Sequence, residues 1–261
     1  MTTIPGPNPR KDLPGPRSPF LFETWAYRAR VPILLGFFAV AMAENSRHPF
    51  PLWAEILRTV DGGTREISEG MRHMALLAPL ALYGIALLVR LSATATLGSG
   101  TVWGFTPRTA NLVEEGLFSC VRHPLYAGSG GMILSLSLMS SAQGAAILVG
   151  GGIPFLAFLA RHEEKELLRA LPGYADYRRR VPPFFPSFGR GCRFSASFFI
   201  PLRRNLGRAI RSEAVNVGLL GGFLAFWALP GIRLFWIAFL LATSLALTAP
   251  IWIPEQPKGS L

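Results

Sequence analysis

Between Leu125 and Ala160 lie 36 residues without one charged side chain. As a single helix they would run roughly 54 Å, far beyond a hydrocarbon core about 30 Å thick. The stretch therefore predicts a hairpin of two helices, turning at Ser140-Ser141 with Gln143-Gly144 beginning the return. Both polar ends of such a hairpin emerge on one side of a membrane. Composition points the same way: half of the residues are hydrophobic and only 16% are charged, against roughly 25% in an average soluble domain. A soluble globule and a disordered chain are both excluded.

Four further apolar segments accompany the hairpin. Val31 to Ala43 is too short to span unless it extends back toward Phe20. Met74 to Leu91, Val215 to Ile232 and Leu234 to Pro254 are long enough. The expected fold is all-α, a polytopic helical membrane protein with about six (five to six) transmembrane segments. Residues 1–20, with prolines at 5, 7, 9, 14, 16 and 19, read as a flexible tail. Residues 21–100 form N-terminal membrane segments, 101–190 a core around the hairpin 125–160, and 191–261 a two-span extension. Residues 44 to 73 read as a loop with one short surface helix.

The net charge of +11 selects a membrane surface rather than nucleic acid, because the arginines cluster between apolar runs. Twelve of the 26 Lys and Arg fall between 161 and 214, and five more precede residue 31. By the positive-inside rule both regions, with 92–124, face the cytoplasm, while 44–73 and the turns at Ser140 and Arg233 face outward. The expected location is the inner, cytoplasmic membrane. Two cysteines, Cys120 and Cys192, with no CxxC pair exclude a disulfide framework and a zinc cluster, and no metal is expected.

The polar residues flanking the hairpin carry the chemistry. Val121-Arg122-His123-Pro124-Leu125-Tyr126-Ala127-Gly128 precedes it and Arg161-His162-Glu163-Glu164-Lys165-Glu166 follows it. Both lie at its cytoplasmic end, so they can be neighbours although 32 residues separate Gly128 from Arg161. His123 before Pro124 predicts a helix starting at the proline, with the imidazole across its top. Gly128, Gly130 and Gly131 permit close approach by a helix or a ligand. By pattern alone, the first cluster also fits an interfacial anchor and helix cap, and the second a solvated helix start.

Taken together and in order, these blocks resemble the integral-membrane methyltransferase superfamily of isoprenylcysteine carboxyl methyltransferases and phospholipid N-methyltransferases. The resemblance covers about residues 103–186. It rests on Asn111-Leu112-Val113, Gly116, Arg122-His123-Pro124-Leu125-Tyr126, Glu163-Glu164, Leu167, Gly173, Tyr174, Tyr177, Val181-Pro182 and Pro186. It implies an S-adenosylmethionine-dependent enzyme whose cofactor is bound by Asn111, Leu112, Val113, Phe118, His123, Pro124, Leu125, Tyr126 and Glu163. Phe118 stands where the family commonly has Tyr. Arg161, which would orient a carboxylate acceptor, and Glu164, a base for an amine acceptor, are the implied catalytic pair. Arg161 lies closer to the glutamates than the family's arginine does. The implied acceptor is lipophilic, a lipid or prenylated compound. A sterol-reductase-type membrane reductase and a non-enzymatic transport or assembly protein are the alternatives. Gly150-Gly151-Gly152 with Pro154 would be a transporter-like helix break.

Overall fold

A computed structural model describes residues 21–47, 51–60, 68–97, 112–186, 200–228 and 232–252. Among them the chain is all-helical. The helices are α1 (Leu21–Arg28), α2 (Arg30–Arg47), α3 (Leu52–Val60), α4 (Glu69–Leu97), α5 (Pro124–Met139), α6 (Ala142–Ala170), α7 (Tyr174–Arg180), α8 (Ile200–Ser212), α9 (Ala214–Ala228) and α10 (Ile232–Trp252). A 3₁₀ turn, Gly116–Ser119, precedes α5. Cys120, buried at its end, is disulfide-bonded, a single bridge.

The predicted hairpin is α5 and α6, and its turn falls where the serines are. Ser140 ends α5 in extended backbone, and Ser141 caps α6, its hydroxyl accepting from the Gly144 amide. Asn45 of α2 closes the turn from outside: its Oδ1 accepts from Ser140 Oγ at 2.9 Å and from the Ser141 amide at 2.7 Å. Glycine at 144 lets α2 approach. A Cβ there would press on Ser140 Oγ and stand 3.0 Å from the Ala41 carbonyl.

Within α6 the five residues Leu148–Gly152 wind as a π-helix before α-geometry resumes at Ile153. The glycine triplet therefore marks a widened turn in a continuous helix, not a break. Its glycines also make room: Gly151 lies against the Phe37 ring and Gly152 against Ile133.

By length and composition, α4 over His73–Leu97 and α6 can each cross a membrane. A third span results if α8 and α9, which meet at 80°, are counted together. The expected count of about six is not reached on this measure. At 16 residues α5 rises roughly 24 Å, less than the hydrocarbon thickness, and α9 has only 15 residues. The 44–73 region does contain its short helix, α3, whose first amide donates to the Ser140 carbonyl.

Small residues bring α4 and α5 together. Gly128 and Gly131 face Ala86, and the Arg90 stem crosses directly over Gly128. The close approach expected at these glycines is thus made by a helix. Beyond them α4 buries Tyr83, Leu87, Leu91 and Ala95 against Met132, Ala209 and the apolar face of α9. Two further contacts close the bundle: Asn205 Nδ2 donates to the Ala95 carbonyl, and Trp227 Nε1 to the His73 carbonyl. The helix ends thereby sort into two groups. Glu23, Ala95, His123, Glu164 and Asn205 lie toward one end, and Asn45, His73, Ser140 and Trp227 toward the other.

Candidate active site

His123 occupies the N-cap of α5, with Pro124 as the first helical residue. Proline suits this position because its missing N–H would have no helical partner. The extended segment after α7 holds the approach to the helix: the Arg122 amide donates to the Pro182 carbonyl at 2.8 Å and the His123 amide to the Pro183 carbonyl at 3.0 Å. The Val181-Pro182 element of the motif is thus a backbone clamp on the Arg-His-Pro element.

Across the hairpin's mouth stands Glu164. His123 Nε2 donates to its Oε1 at 3.0 Å, Arg122 Nη2 reaches the same oxygen at 2.9 Å, and Arg178 Nε reaches Oε2 at 3.2 Å. Arg122 Nη1 also donates to the Val181 carbonyl at 2.9 Å and to the Arg178 carbonyl. One buried carboxylate therefore meets two guanidiniums and an imidazole. Arg122 Nε is buried with no partner among the described residues.

Glu163 points elsewhere, because successive residues on a helix diverge by about 100°. It lies beside the Tyr126 hydroxyl, which in turn lies beside Tyr27 of α1. The Tyr126 ring lies 5.8 Å from the His123 ring, and the Phe184 ring, tilted to it, lies 5.9 Å from His123. Of the expected residues, His123, Tyr126, Glu163 and Glu164 come together here. Leu112 packs on Leu171, Tyr174, Tyr177 and Val181. Phe118 is buried, and its carbonyl accepts from the Tyr177 hydroxyl at 2.7 Å. The Leu125 carbonyl accepts from Ser129 Oγ at 3.0 Å. Val113 is half-buried beside Leu112. Asn111 lies outside the described residues. Arg161 is exposed and pairs with none of the described residues.

Tyr174 and Tyr177, on α7, are held above the ordinary phenol range by burial. Both hydroxyls stay protonated at neutral pH, and that of Tyr177 serves as the donor to Phe118.

Sequence reasoning placed helix back toward Phe20 but missed Arg122 and Arg178 as partners of Glu164, and missed the docking of α1 beside the mouth. Helix α1 docks beside the mouth: Glu23 accepts from Lys165 Nζ at 2.9 Å and faces His162 Nδ1 at 3.3 Å, while the Tyr27 and His162 rings lie 5.2 Å apart. The Lys165 hydrogen bond holds the Glu23 carboxyl below the ordinary 4.5 against the cost of burial, with the His162 hydrogen bond adding to the lowering. A lowered carboxyl stabilises the docked form above its ordinary value and loses that contribution as pH falls through its own. Amide hydrogen exchange over 21–28 should accordingly be constant from neutral pH down to about pH 5 after correction for intrinsic rates, and rise at lower pH. In Glu23→Gln the step should vanish.

Residues 74–171 match the family model described as phospholipid methyltransferase. This stretch holds α4, both hairpin helices and every charged partner on the hairpin side of the mouth. That segment of the chain is similar to the phospholipid methyltransferase family. Over a limited stretch the chain is similar to two curated proteins. The cobalt-zinc-cadmium resistance protein CzcN of Cupriavidus metallidurans is 39% identical over 77 residues, which is 29% of this chain and 35% of that protein. The nickel-cobalt-cadmium resistance protein NccN of Alcaligenes xylosoxydans xylosoxydans is 38% identical over 80 residues, 30% of this chain and 38% of that one. The match spans little more than a third of either relative. No solved structure matches. Within the matched segment the two glutamates have distinct surroundings: Glu164 has three partners, Arg122, His123 and Arg178, whereas Glu163 lies beside tyrosine hydroxyls.

Proposed function

We propose that this chain is an S-adenosylmethionine-dependent membrane methyltransferase acting on a lipophilic acceptor, a carboxylate or amine of a lipid or prenylated compound, at the cytoplasmic face of the inner membrane. The observation that carries the reading is the pairing across the hairpin's mouth, His123 and Arg122 on Glu164 with Tyr126 on Glu163, within the segment matched by the family.

The donor set suits such a cofactor. Its amino-acid end carries one ammonium and one carboxylate, and the mouth offers both complements: Glu163 for the cation, and Arg122 and Arg178, whose charges together exceed that of Glu164, for the anion. The orphaned Arg122 Nε is a donor awaiting an acceptor. Tyr126 and Phe118 supply aromatic faces suited to an adenine ring or a sulfonium. When bound, S-adenosylmethionine supplies a methyl group activated by positively charged sulfur. The protein's part is to bind, orient and exclude water, which needs little acid-base chemistry. A carboxylate acceptor arrives ionised. An amine must lose a proton, and with the oxygens of Glu164 taken by three donors, Glu163 is the carboxylate placed to accept it. The role first given to Glu164 thus passes to its neighbour.

Calorimetry of the detergent-solubilised protein should show binding of S-adenosylmethionine and its demethylated product but not NADPH. Binding of NADPH alone would replace this reading with the reductase. His123→Ala should weaken cofactor binding by about 1–3 kcal/mol, roughly 5- to 150-fold. Arg161→Ala should spare cofactor affinity and raise the acceptor's KM. Unchanged kinetics in that variant would move the acceptor-orienting role to Arg178.

A further inference from the structure

Arg90 of α4 and Glu213, at the bend between α8 and α9, form an ion pair between positions 123 residues apart. It is bidentate: Arg90 Nε lies 2.9 Å from Glu213 Oε2 and Nη2 lies 2.9 Å from Oε1. Thr94 Oγ1 donates to Oε1 at 3.0 Å and Asn216 Nδ2 to Oε2 at 2.6 Å. The Glu213 side chain is fully covered, and each of its oxygens accepts two bonds. It has no capacity left for a ligand.

The remaining Arg90 nitrogen is committed to the hairpin. Nη1 donates to Ser129 Oγ at 2.5 Å and to the Leu125 carbonyl at 3.3 Å, the same carbonyl that Ser129 Oγ reaches. These acceptors belong to the first two turns of α5, the turns that carry Tyr126 and follow His123. Backbone bonds from Pro182 and Pro183 hold the chain just before this point. Arg90 holds it just after.

An ion pair removed from water at membrane depth is expensive, and a pair of well-packed apolar residues generally stabilises a fold as well or better. Bundle stability therefore does not account for it, whereas a fixed direction for the start of α5 does. We infer that Glu213 is a positioning residue: acting through Arg90, it fixes the first turn of α5 and with it Tyr126 and His123, so that the C-terminal helices, beyond the matched segment, are a working part of the active site. The inference rests on the methyltransferase reading for its catalytic consequence, but not for the clamp itself.

The test compares full-length Glu213→Gln, the double variant Arg90→Met/Glu213→Leu, and Ser129→Ala. The single variant leaves the arginine without its counter-charge and should lower both thermal stability and cofactor affinity. The double variant removes both charges and should recover most of the stability. If Glu213 positions the site, the double variant still shows amide exchange over 124–129 about tenfold faster than wild type in the absence of cofactor, and S-adenosylmethionine binding about tenfold weaker. Ser129→Ala keeps the ion pair and should reproduce part of the exchange effect with unchanged stability, so the clamp is tested even where the other variants fold poorly. Wild-type exchange rates and affinity in the double variant, or no exchange effect in Ser129→Ala, would overturn the proposal and leave the pair as a fold element. Absence of cofactor binding by the wild type would instead overturn the methyltransferase reading, with the exchange arm still deciding the clamp.

Discussion

Replacing Glu164 by alanine is expected to destabilise the detergent-solubilised protein by about 3–5 kcal/mol, because it leaves two guanidiniums and an imidazole packed together with no counter-charge. The partners make this the most damaging single change at the site. Arg122 and His123 are as covered as the glutamate itself, and only Arg178 is half exposed to solvent that can screen it. Glu163→Gln should behave oppositely. Glu163 makes no ion pair among the described residues and an amide fits the same place beside Tyr126, so stability should stay within about 0.5 kcal/mol of wild type, while cofactor affinity falls by about 1–3 kcal/mol through loss of the charge. Chemical denaturation and calorimetry on the same preparations separate the two effects. Equal behaviour of the two variants would mean that the mouth does not divide labour between adjacent carboxylates.

Gly128→Ala is expected to cost about 1–3 kcal/mol by overpacking, although alanine is the better helix former. A Cβ at 128 would stand 2.5 Å from the Arg90 stem and 2.9 Å from the Ala86 carbonyl, and a backbone oxygen cannot swing aside as a side chain can. The neighbouring glycines supply the comparison. Gly131→Ala meets only the Ala86 methyl, at 2.9 Å for its nearest contact, and should cost less. Gly130→Ala meets one Ile153 methyl at 3.7 Å, an ordinary contact, and should be neutral or slightly stabilising. Thermal unfolding in one detergent, for all three, gives the ranking 128, 131, 130 from most to least damaging. A lower midpoint for Gly130→Ala than for Gly128→Ala would show that α4 and α5 do not meet as described.

Features encoded by adjacent residues were legible from sequence. Ser140-Ser141 and His123-Pro124 are local punctuation, and both fall where the helices end and begin. The meeting of the two flanking clusters followed from hairpin geometry alone. What could not be read was which of two consecutive glutamates faces His123, since that depends on the rotation of a helix whose winding changes upstream. Arg90 reads in sequence as the charged end of an apolar segment and Glu213 as a stray acid in a basic connection. Nothing local links them, and their separation along the chain exceeds any periodic signal. The resemblance pointed to Arg161, which is exposed at the end of the hairpin, while the guanidiniums paired with Glu164 are those of Arg122 and Arg178, set there by the loop before α5 and by α7. The count of spans is not confirmed because it rested on charge-free length, and among the described residues α5 and α9 form shorter helices than their apolar runs allow.

The π-helical turn at Leu148–Gly152 acts as a phase setting for everything after it. A π turn holds one more residue than an α turn, so it shifts the angular register of the downstream helix by about 100° relative to an uninterrupted α-helix. Wound as an uninterrupted α-helix with the same residues, α6 would turn Arg161 to Glu166 by about the angle that separates Glu163 from Glu164. The side facing Arg122 and His123 would then be offered to a different residue while every side chain remained present. A change of winding at this point is thus a means by which a chain of this design could exchange the duties of its two carboxylates without altering either one, whereas a regularly wound helix one residue shorter would keep them as they are.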